Sequence, residues 1–232
     1  MKKGLILCLG LICSLNSYAL SSYEASYDLY ASMALGSLKI GNAEFILEAD
    51  NDRYVYTNKA SVSPLWQTLY NYSRTEESSG LVVNQQIISN YYKLLELKGD
   101  SVDKDFEINI FTDQNFSTVD GSKFWKNGPG KIADELSIYL VLSHDIYAQP
   151  NREIFTYQVA DSKGIKPQNF TVLGAETIEI KGEKLQTIKI ECAELRLTLN
   201  LSEKHNYLPV LIRKTNGNSR FHLTLTDYQE LP

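Results

Sequence analysis

The chain contains little cysteine, too little for a disulfide within the mature protein. Three cysteines occur in 232 residues, and Cys8 and Cys13 lie in an N-terminal stretch that we expect to be removed. Cys192 then stands alone, which excludes an intramolecular disulfide. Because Cys192 continues the apolar alternation of Ile188 and Ile190, we expect a buried, unreactive thiol rather than a nucleophile.

Positive charge is also scarce. The chain has 23 Lys and Arg against 28 Asp and Glu, a net charge of −5. Two of the lysines, Lys2 and Lys3, belong to the N-terminal stretch, so the mature chain is more acidic still. Nucleic acid and anionic lipid headgroups both require clusters of Lys and Arg, and no such cluster is present. We therefore expect no nucleic-acid partner.

Recognisable catalytic and metal-binding motifs are missing as well. No G-x-S-x-G elbow occurs. Ser143, His144 and Asp145 are consecutive, so on a helix they diverge by about 100° each and cannot form one hydrogen-bonded relay. The histidines outside this triplet are His205 and His222, and neither has a second metal ligand at the spacing that a metal site requires. The sequence thus predicts no catalytic residue, no metal site and no cofactor.

The N-terminus has the three parts of a secretory signal peptide. Lys2 and Lys3 precede an uncharged apolar run over residues 4–15, and small residues at Ser17 and Ala19 suit cleavage after Ala19. The apolar run is shorter than the roughly 20 residues that a membrane-spanning helix needs. We expect an exported, periplasmic protein that does not span the membrane after signal removal, with residues 20–232 forming one β-rich domain.

Strand periodicity dominates the mature chain. From 23 to 35 every odd position is apolar, and the even positions are mostly polar. A period of two is the signature of a half-buried strand, and most later segments repeat it. The sequence predicts a mainly β fold: a single curved antiparallel sheet or open barrel of roughly ten strands, with one central α-helix. At fold level this resembles the lipid- and lipoprotein-carrying half-barrels of the bacterial envelope.

Several breaks in the alternation predict local features. The spacing of apolar residues over 132–146 predicts the helix, and 121–130, rich in Gly, reads as a loop. The phase slip at Gly41 predicts a β-bulge. Turns are expected at residues 78–80 and 216–217, the second being an Asn-Gly hairpin, and one short helical turn is expected near residues 64–70.

Aromatic residues are abundant, with 15 Tyr, 8 Phe and 2 Trp. Aromatic side chains on a curved sheet can line an apolar ligand site, and they can equally fill a core as good strand residues. The first interpretation predicts as ligand-binding residues Trp66, Tyr70, Trp125 and Tyr139.

Three motifs carry a family resemblance: the segment 38–43 after the Tyr-rich first strand, the segment 134–139 on the expected helix, and the segment 208–212. Together they resemble the exported bacterial family known as domain of unknown function 3108, over residues 23–228. The resemblance implies an envelope protein without an assigned activity, and it singles out Asp134 and Ser137. For both we expect a role in capping and anchoring the helix. The expected structural residues are Gly41, Asp134, Ser137 and Pro209.

Three hypotheses on function remain open from the sequence. The first is a non-catalytic periplasmic binding protein for an apolar ligand, a lipid or acyl chain. The alternative is a cell-envelope interaction or scaffold module with a filled core and a protein partner. An enzyme is the third, and it lacks a visible set of catalytic groups.

Overall fold

The computed structural model describes residues 20–33, 36–50, 52–217 and 219–232. The predicted signal peptide, residues 1–19, lies outside this part of the chain. The side chains of Met33, Leu69 and Tyr70 are also outside it.

Fifteen strands, two α-helices and three short 3-10 helices make up the described chain. The strands are β1 (Tyr23–Met33), β2 (Gly36–Asp50), β3 (Arg53–Val62), β4 (Tyr72–Val83), β5 (Gln86–Lys98), β6 (Ser101–Phe111), β7 (Phe116–Val119), β8 (Lys123–Lys126), β9 (Ile132–Asp134), β10 (Ile154–Asp161), β11 (Gly164–Ile180), β12 (Glu183–Cys192), β13 (Leu197–Ser202), β14 (Leu208–Asn216) and β15 (Ser219–Glu230). The helices are α1 (Gln67–Tyr70) and α2 (Ser137–Ala148), with 3-10 turns at Pro64–Trp66, Thr112–Gln114 and Glu203–His205.

All fifteen strands belong to one sheet, in the order β8-β7-β6-β5-β4-β3-β2-β1-β15-β14-β13-β12-β11-β10-β9. Consecutive strands are neighbours almost throughout, and β15 returns to pair with β1. Only β9 and β10 pair in parallel, and α2 connects them. The prediction of a mainly β fold in one curved sheet is confirmed, and the expected number of roughly ten strands is wrong.

The extra strands come partly from segments for which the sequence predicted a loop or a helix. The predicted loop 121–130 contains β8, which pairs with β7. The first part of the predicted helix 132–146 is β9, and the helix itself begins only at Ser137. Short strands of three or four residues are too brief to show a period of two, so their neighbours in the sheet decide their conformation.

The predicted turn at 78–80 is also wrong. Strand β4 runs straight through it, and the chain turns at Asn84 and Gln85, both with positive φ. Gly80 instead serves a close approach: a Cβ there would lie 1.9 Å from the Ile88 carbonyl oxygen of β5. Glycine is required at such contacts inside a sheet as well as in turns, and the two roles look alike in sequence.

Other local predictions are confirmed. The β14–β15 hairpin forms where it was predicted, but Asn216 is the last residue of β14 and pairs with Ser219, so the turn begins at Gly217, which has a φ of 58°. The helical turn after Ser63 forms as the 3-10 helix and α1. Cys192 is buried and free, and burial raises the pKa of its thiol to about 11.

Gly41 and Pro209 both lie beside irregularities of the sheet. The β1–β2 register shifts between Leu29 and Tyr30, which leaves Ile40 as the extra residue, directly before Gly41. Gly41 is not in the left-handed region; a Cβ there would lie 2.1 Å from the Ser61 carbonyl oxygen. The β13–β14 register shifts next to Pro209, a position where a proline without an N–H is tolerated inside a sheet.

Helix α2 lies in the core rather than on the surface. Nine of its twelve residues are buried, on all of its faces. It packs against β5, β9 and β14. The inner face of the sheet around it is filled by large, fully buried side chains, among them Tyr54, Tyr56, Tyr92, Phe155 and Phe170. A smaller second cluster comprises Leu29, Ala31, Ile40 and Val62.

Candidate functional site

A cavity of about 320 Å³ lies beside helix α2, against Leu140, Ser143 and Tyr147. Its volume falls at the lower end of the range for small-molecule sites, roughly 300–1,000 Å³. We call it the terminal cavity, because the start of β1 and the end of β15 both contribute to it. It is lined by Leu20, Ser21, Tyr23, Leu140, Ser143, Tyr147, His205, Asn206, Leu208 and Tyr228.

Local structure explains why these residues meet. The alternation of β1 directs Tyr23 inward, and a spacing of three and seven residues puts Leu140, Ser143 and Tyr147 on neighbouring turns of α2. After β13, the 3-10 turn ends at Asn206, which has a φ of 52°. This left-handed residue reverses the chain and brings His205 beside the start of β14.

An aromatic wall forms one side of the terminal cavity. The ring centroids of Tyr23 and Tyr228 are 5.7 Å apart, and those of Tyr228 and His205 are 5.6 Å apart. Tyr23 also contacts Tyr56 edge to face at 6.1 Å, and its hydroxyl donates to the Tyr56 hydroxyl at 3.1 Å. These contacts fix the wall, since aromatic pairs favour edge-to-face and offset geometries.

Several polar side chains of the cavity form hydrogen bonds with residues just outside its lining. His205 Nδ1 is 3.1 Å from Ser202 Oγ, and burial, followed by the nearby Lys204 charge, lowers the pKa of His205. The imidazole is therefore neutral at pH 7, since its ordinary pKa is about 6.5. Asn206 Nδ2 and the Tyr228 hydroxyl both donate to Glu230 Oε1, at 3.2 and 3.4 Å.

A second depression of similar volume, about 330 Å³, lies beside Phe106. Its other lining residues are all charged: Lys93, Asp105, Glu107 and Asp120. Such a lining does not suit an apolar ligand.

Three of the four predicted ligand-binding residues, Trp66, Trp125 and Tyr139, have described side chains, and these lie away from the terminal cavity. Trp66 packs on the smaller cluster, whereas Trp125 and Tyr139 pack on the main core. Tyr139 contacts Phe45 edge to face at 6.3 Å. Tyr70 ends α1, and its side chain lies outside the described residues. None of the three described side chains lines the terminal cavity.

The consecutive residues Ser143, His144 and Asp145 do not form a relay. Ser143 Oγ donates to the carbonyl oxygens of Tyr139 and Tyr207, both at 2.8 Å. His144 Nδ1 is 3.1 Å from Asp145 Oδ1, so two of the three residues do touch, on a different side of the helix. Burial would raise the pKa of Asp145, but hydrogen bonds from its neighbours, His144 first, outweigh burial and lower it.

Asp134 sits at the centre of a fully buried hydrogen-bond network at the start of α2. Its Oδ1 accepts the backbone N–H groups of Leu136 and Ser137, both at 2.8 Å. Its Oδ2 accepts the hydroxyls of Ser78, Ser89 and Ser137 at 2.7, 2.5 and 2.7 Å. The carboxylate thus takes over the capping of α2, for which Leu136 offers no side-chain bond, and ties the helix to β4 and β5.

A second network surrounds Arg74, which is only 16% exposed. Its guanidinium donates to Glu76 Oε1 at 2.7 Å and to Glu96 Oε2 at 2.9 Å, and reaches Glu135 at 3.5 Å. Glu76 also accepts the Tyr92 hydroxyl at 2.6 Å. Glu135 belongs to the turn before α2, so this network is a second connection between the helix and the strands.

Neither a metal centre nor a membrane-spanning helix is found in the part of the chain that the structure describes. No group of three or more His, Cys, Asp or Glu residues there could hold a metal ion. No described helix is both long and apolar enough to cross a bilayer.

Sequence reasoning missed most of the terminal cavity. Its lining comes from the two ends of the domain, from α2 and from one turn, segments far apart in the chain. Tyr23 carried a signal as an aromatic residue in an inward strand position. No sequence pattern distinguishes His205 as a site residue, because histidines are common in turns.

Comparison with family models finds no match, and neither does comparison with curated proteins. The resemblance to domain of unknown function 3108 therefore stays a prediction. Among solved structures, the chain is similar to a beta-barrel-like protein of domain of unknown function 1849 from Brucella abortus. The TM-score is 0.61 at 9% identity, and the match covers 93% of this chain and 100% of that chain. At this identity the likeness concerns the fold alone: a mainly β, barrel-like domain of unknown function.

Proposed function

We propose that this protein is an exported, non-catalytic binding protein of the cell envelope that holds an apolar ligand in the terminal cavity. Export rests on the signal-like residues 1–19 and on the resemblance to domain of unknown function 3108. Binding rests on one observation above the others, the cavity of about 320 Å³ with Leu20, Leu140 and Leu208 beside an aromatic wall. The ligand is small, because the rest of the inner face is filled by buried side chains.

A non-catalytic role fits the state of the groups that could do chemistry. Asp134 and Ser137 are fully buried and bonded to each other. Ser143 donates to two backbone carbonyls, and the raised pKa of Cys192 keeps it a thiol at neutral pH. A series of aromatic contacts joins the predicted ligand residue Tyr139 to the cavity wall: Tyr139 contacts Phe45, Phe45 contacts Tyr56, and Tyr56 contacts Tyr23.

Filling the cavity should weaken ligand binding. We expect Leu140→Trp to lower affinity for the neutral fluorescent probe N-phenyl-naphthylamine about tenfold or more, because the indole occupies the space the probe needs. The measurement is a fluorescence titration of mature protein, with native mass spectrometry of protein purified without detergent to reveal a retained apolar ligand.

Two comparisons make this test decisive. Leu65→Trp adds the same side chain at a position that is 81% exposed and should leave binding unchanged. If Leu140→Trp impairs folding, Ser21→Trp replaces it in the test, because this variant fills the cavity from its exposed side. If Trp66→Ala or Trp125→Ala abolishes binding while both cavity-filling variants bind normally, the ligand lies elsewhere on the sheet.

The alternative is an envelope interaction or scaffold module with a filled core. It is favoured by an exposed aromatic patch near the β8 edge. Phe111 and Phe116 stack at 4.8 Å, and Phe124, which is 67% exposed, lies 6.0 Å from Phe116. Exposed apolar patches commonly mark contact surfaces. A bare polypeptide mass and no probe binding would favour this alternative.

A further inference from the structure

Removal of the expected signal peptide creates a charged group in the lining of the terminal cavity. Leu20 is the first residue after the expected cleavage site, and it is one of the ten described lining residues. Hydrolysis of the peptide bond between Ala19 and Leu20 leaves a free α-amino nitrogen on the Leu20 Cα, about 1.46 Å from it. A terminal amino group has a pKa of about 7.7–8.0, so at pH 7 it is mostly a protonated ammonium group.

The packing and hydrogen bonds of residues 20–22 hold this ammonium group beside the cavity. The Leu20 side chain packs on the main core. Ser22 Oγ donates to the Ala49 carbonyl oxygen at 3.3 Å and accepts the Ala49 N–H at 2.9 Å. The Ser22 carbonyl oxygen accepts the Leu231 N–H at 2.9 Å. The mature chain therefore begins against the sheet, and its first charge stays close to the cavity.

None of the ten described lining residues supplies a carboxylate to balance this charge. Their side chains are apolar or neutral, and the lowered pKa of His205 keeps the imidazole uncharged at pH 7. Glu230 accepts hydrogen bonds from Asn206 and Tyr228 beside the cavity, but it is exposed. Ion pairs between exposed groups contribute little, so Glu230 compensates the ammonium group only weakly.

A ligand with an anionic headgroup supplies the missing charge. An ammonium group has three hydrogen-bond donors, and its bonds to a carboxylate are stronger than bonds between neutral groups. The attraction between the two charges is also larger in partly apolar surroundings than in water. The apolar side chains of Leu140 and Leu208 in the lining suit the hydrocarbon part of such a ligand. A cationic headgroup is instead repelled by the ammonium group.

We propose that signal-peptide cleavage completes the terminal cavity as a site for a single-chain carboxylate, with the α-ammonium group of Leu20 as its cationic contact. Leu140 and Leu208 contact the hydrocarbon chain. The uncleaved precursor lacks this charge, so it binds the same ligand more weakly, and the site becomes fully competent only after export. This inference rests on the proposed binding function and on cleavage after Ala19, and it narrows the ligand class.

The first test compares decanoate, decanol and decylamine, which share one hydrocarbon length and differ in charge. Each displaces the neutral probe N-phenyl-naphthylamine at pH 7 from protein purified from the periplasm, whose first residue is identified by mass spectrometry. We expect decanoate to bind about tenfold tighter than decanol, and decylamine to bind more weakly than either. Equal or weaker binding of decanoate, or a first residue other than Leu20, overturns the inference and leaves the binding function intact. If neither the probe nor any of the three ligands binds, the binding function itself fails.

Changes at the N-terminus assign the preference to the ammonium group. Selective acetylation of the Leu20 amino group removes the charge and should weaken decanoate binding about tenfold, whereas unchanged decanol binding shows that the cavity still forms. A three-residue extension, Gly-Ser-Gly, before Leu20 keeps the charge, moves it by up to roughly 10 Å and should have the same effect.

Lys204→Gln is the matched control for these changes. Lys204 is a nearby cation that is paired with Glu183 at 2.5 Å and is not among the described lining residues. This variant should keep the full preference for decanoate. A preference that survives both changes at the N-terminus, or one that disappears in Lys204→Gln, contradicts the inference, because the cation that binds the carboxylate then lies elsewhere.

Discussion

Replacing Arg74 by methionine is expected to destabilise the fold by about 3–5 kcal/mol, because two buried carboxylates would lose their shared cation. Glu76 and Glu96 are each 6% exposed at the side chain, and Arg74 bonds to both. Methionine keeps much of the apolar volume of the arginine stem and removes only the charge. Urea unfolding at pH 7 measures the change in the free energy of unfolding.

Lys104→Met is the matched control for Arg74→Met. Lys104 also contacts Glu96, at 3.3 Å, but its side chain is 45% exposed. Exposed ion pairs contribute little, about 0–1 kcal/mol, so this variant should stay close to wild type. Equal losses in both variants would mean that burial of the Arg74 network does not set its strength.

The same network predicts a pH dependence with a definite sign. Burial alone would raise the pKa of Glu76, but the Arg74 charge and the hydrogen bonds from Arg74, Tyr92 and Asn58 outweigh it and lower the pKa to about 2. The unfolded chain titrates at the ordinary value of about 4.3. Glu76 therefore contributes stability that is fully present above this value and is lost as the pH falls through the folded value, about 3 kcal/mol in all.

Unfolding free energies between pH 7 and pH 2 test this contribution. Glu76→Gln should show a shallower loss toward low pH than wild type, because the titrating group is gone. Glu77→Gln, at the exposed neighbouring position, should follow the wild-type curve. A Glu76→Gln curve parallel to wild type through this range would rule out the lowered pKa as a source of stability.

The sequence predicts strands well where the alternation of apolar and polar residues is regular. Thirteen alternating residues leave only one face for the core, so the conformation of β1 is set locally. The hairpin after β14 is specified by the same local means, since Gly217 adopts the left-handed backbone that a tight hairpin needs. These features depend on residues adjacent in the chain, and reading the sequence finds them.

Features that depend on distant neighbours escaped the sequence. Residues Ile132 to Asp134 fit a helical spacing, yet β10 offers them a parallel partner and Asp134 ends the strand by capping α2. From its neighbours in the chain, Gly80 is typical of a turn. Its actual role appears only in the sheet, where the Ile88 carbonyl group of β5 lies against it. The Arg74 network is equally hidden, because alternation shows which side chains face inward but not which charges meet between β4, β5 and the turn before α2.

The candidate site divides in the same way. The abundance of aromatic residues is evident in the sequence, and the family resemblance drew attention to Asp134 and Ser137. The cavity is not evident in the sequence, because its lining joins Tyr23 to Tyr228 through the pairing of the first and last strands. Pairing of the first and last strands is a property of the sheet topology, and no local sequence pattern predicts it.

Replacing Asp134 by alanine is expected to destabilise the protein by about 4 kcal/mol or more, because five hydrogen bonds lose their acceptor at once. Three hydroxyls and two backbone N–H groups would remain buried, since Ser78, Ser89, Ser137 and Asp134 are fully buried. The helix start would lose its cap and its connection to β4 and β5. Urea unfolding at pH 7 is the measurement, and Asp100→Ala, in an exposed turn, should change stability by less than about 0.5 kcal/mol.

Asp134→Asn separates the shape of this group from its charge. Burial raises the pKa of Asp134 more than its hydrogen bonds lower it. The folded protein then holds a proton that the unfolded chain releases near pH 3.9, so this residue contributes less stability as the pH rises from there through the folded pKa. Asparagine does not titrate, so its cost relative to wild type should be larger at pH 3 than at pH 7. This trend is opposite in sign to that of Glu76. Should the cost of Asp134→Asn instead grow from pH 3 to pH 7, the ionised carboxylate would be the form that the fold prefers, and the serine hydroxyls would outweigh its burial.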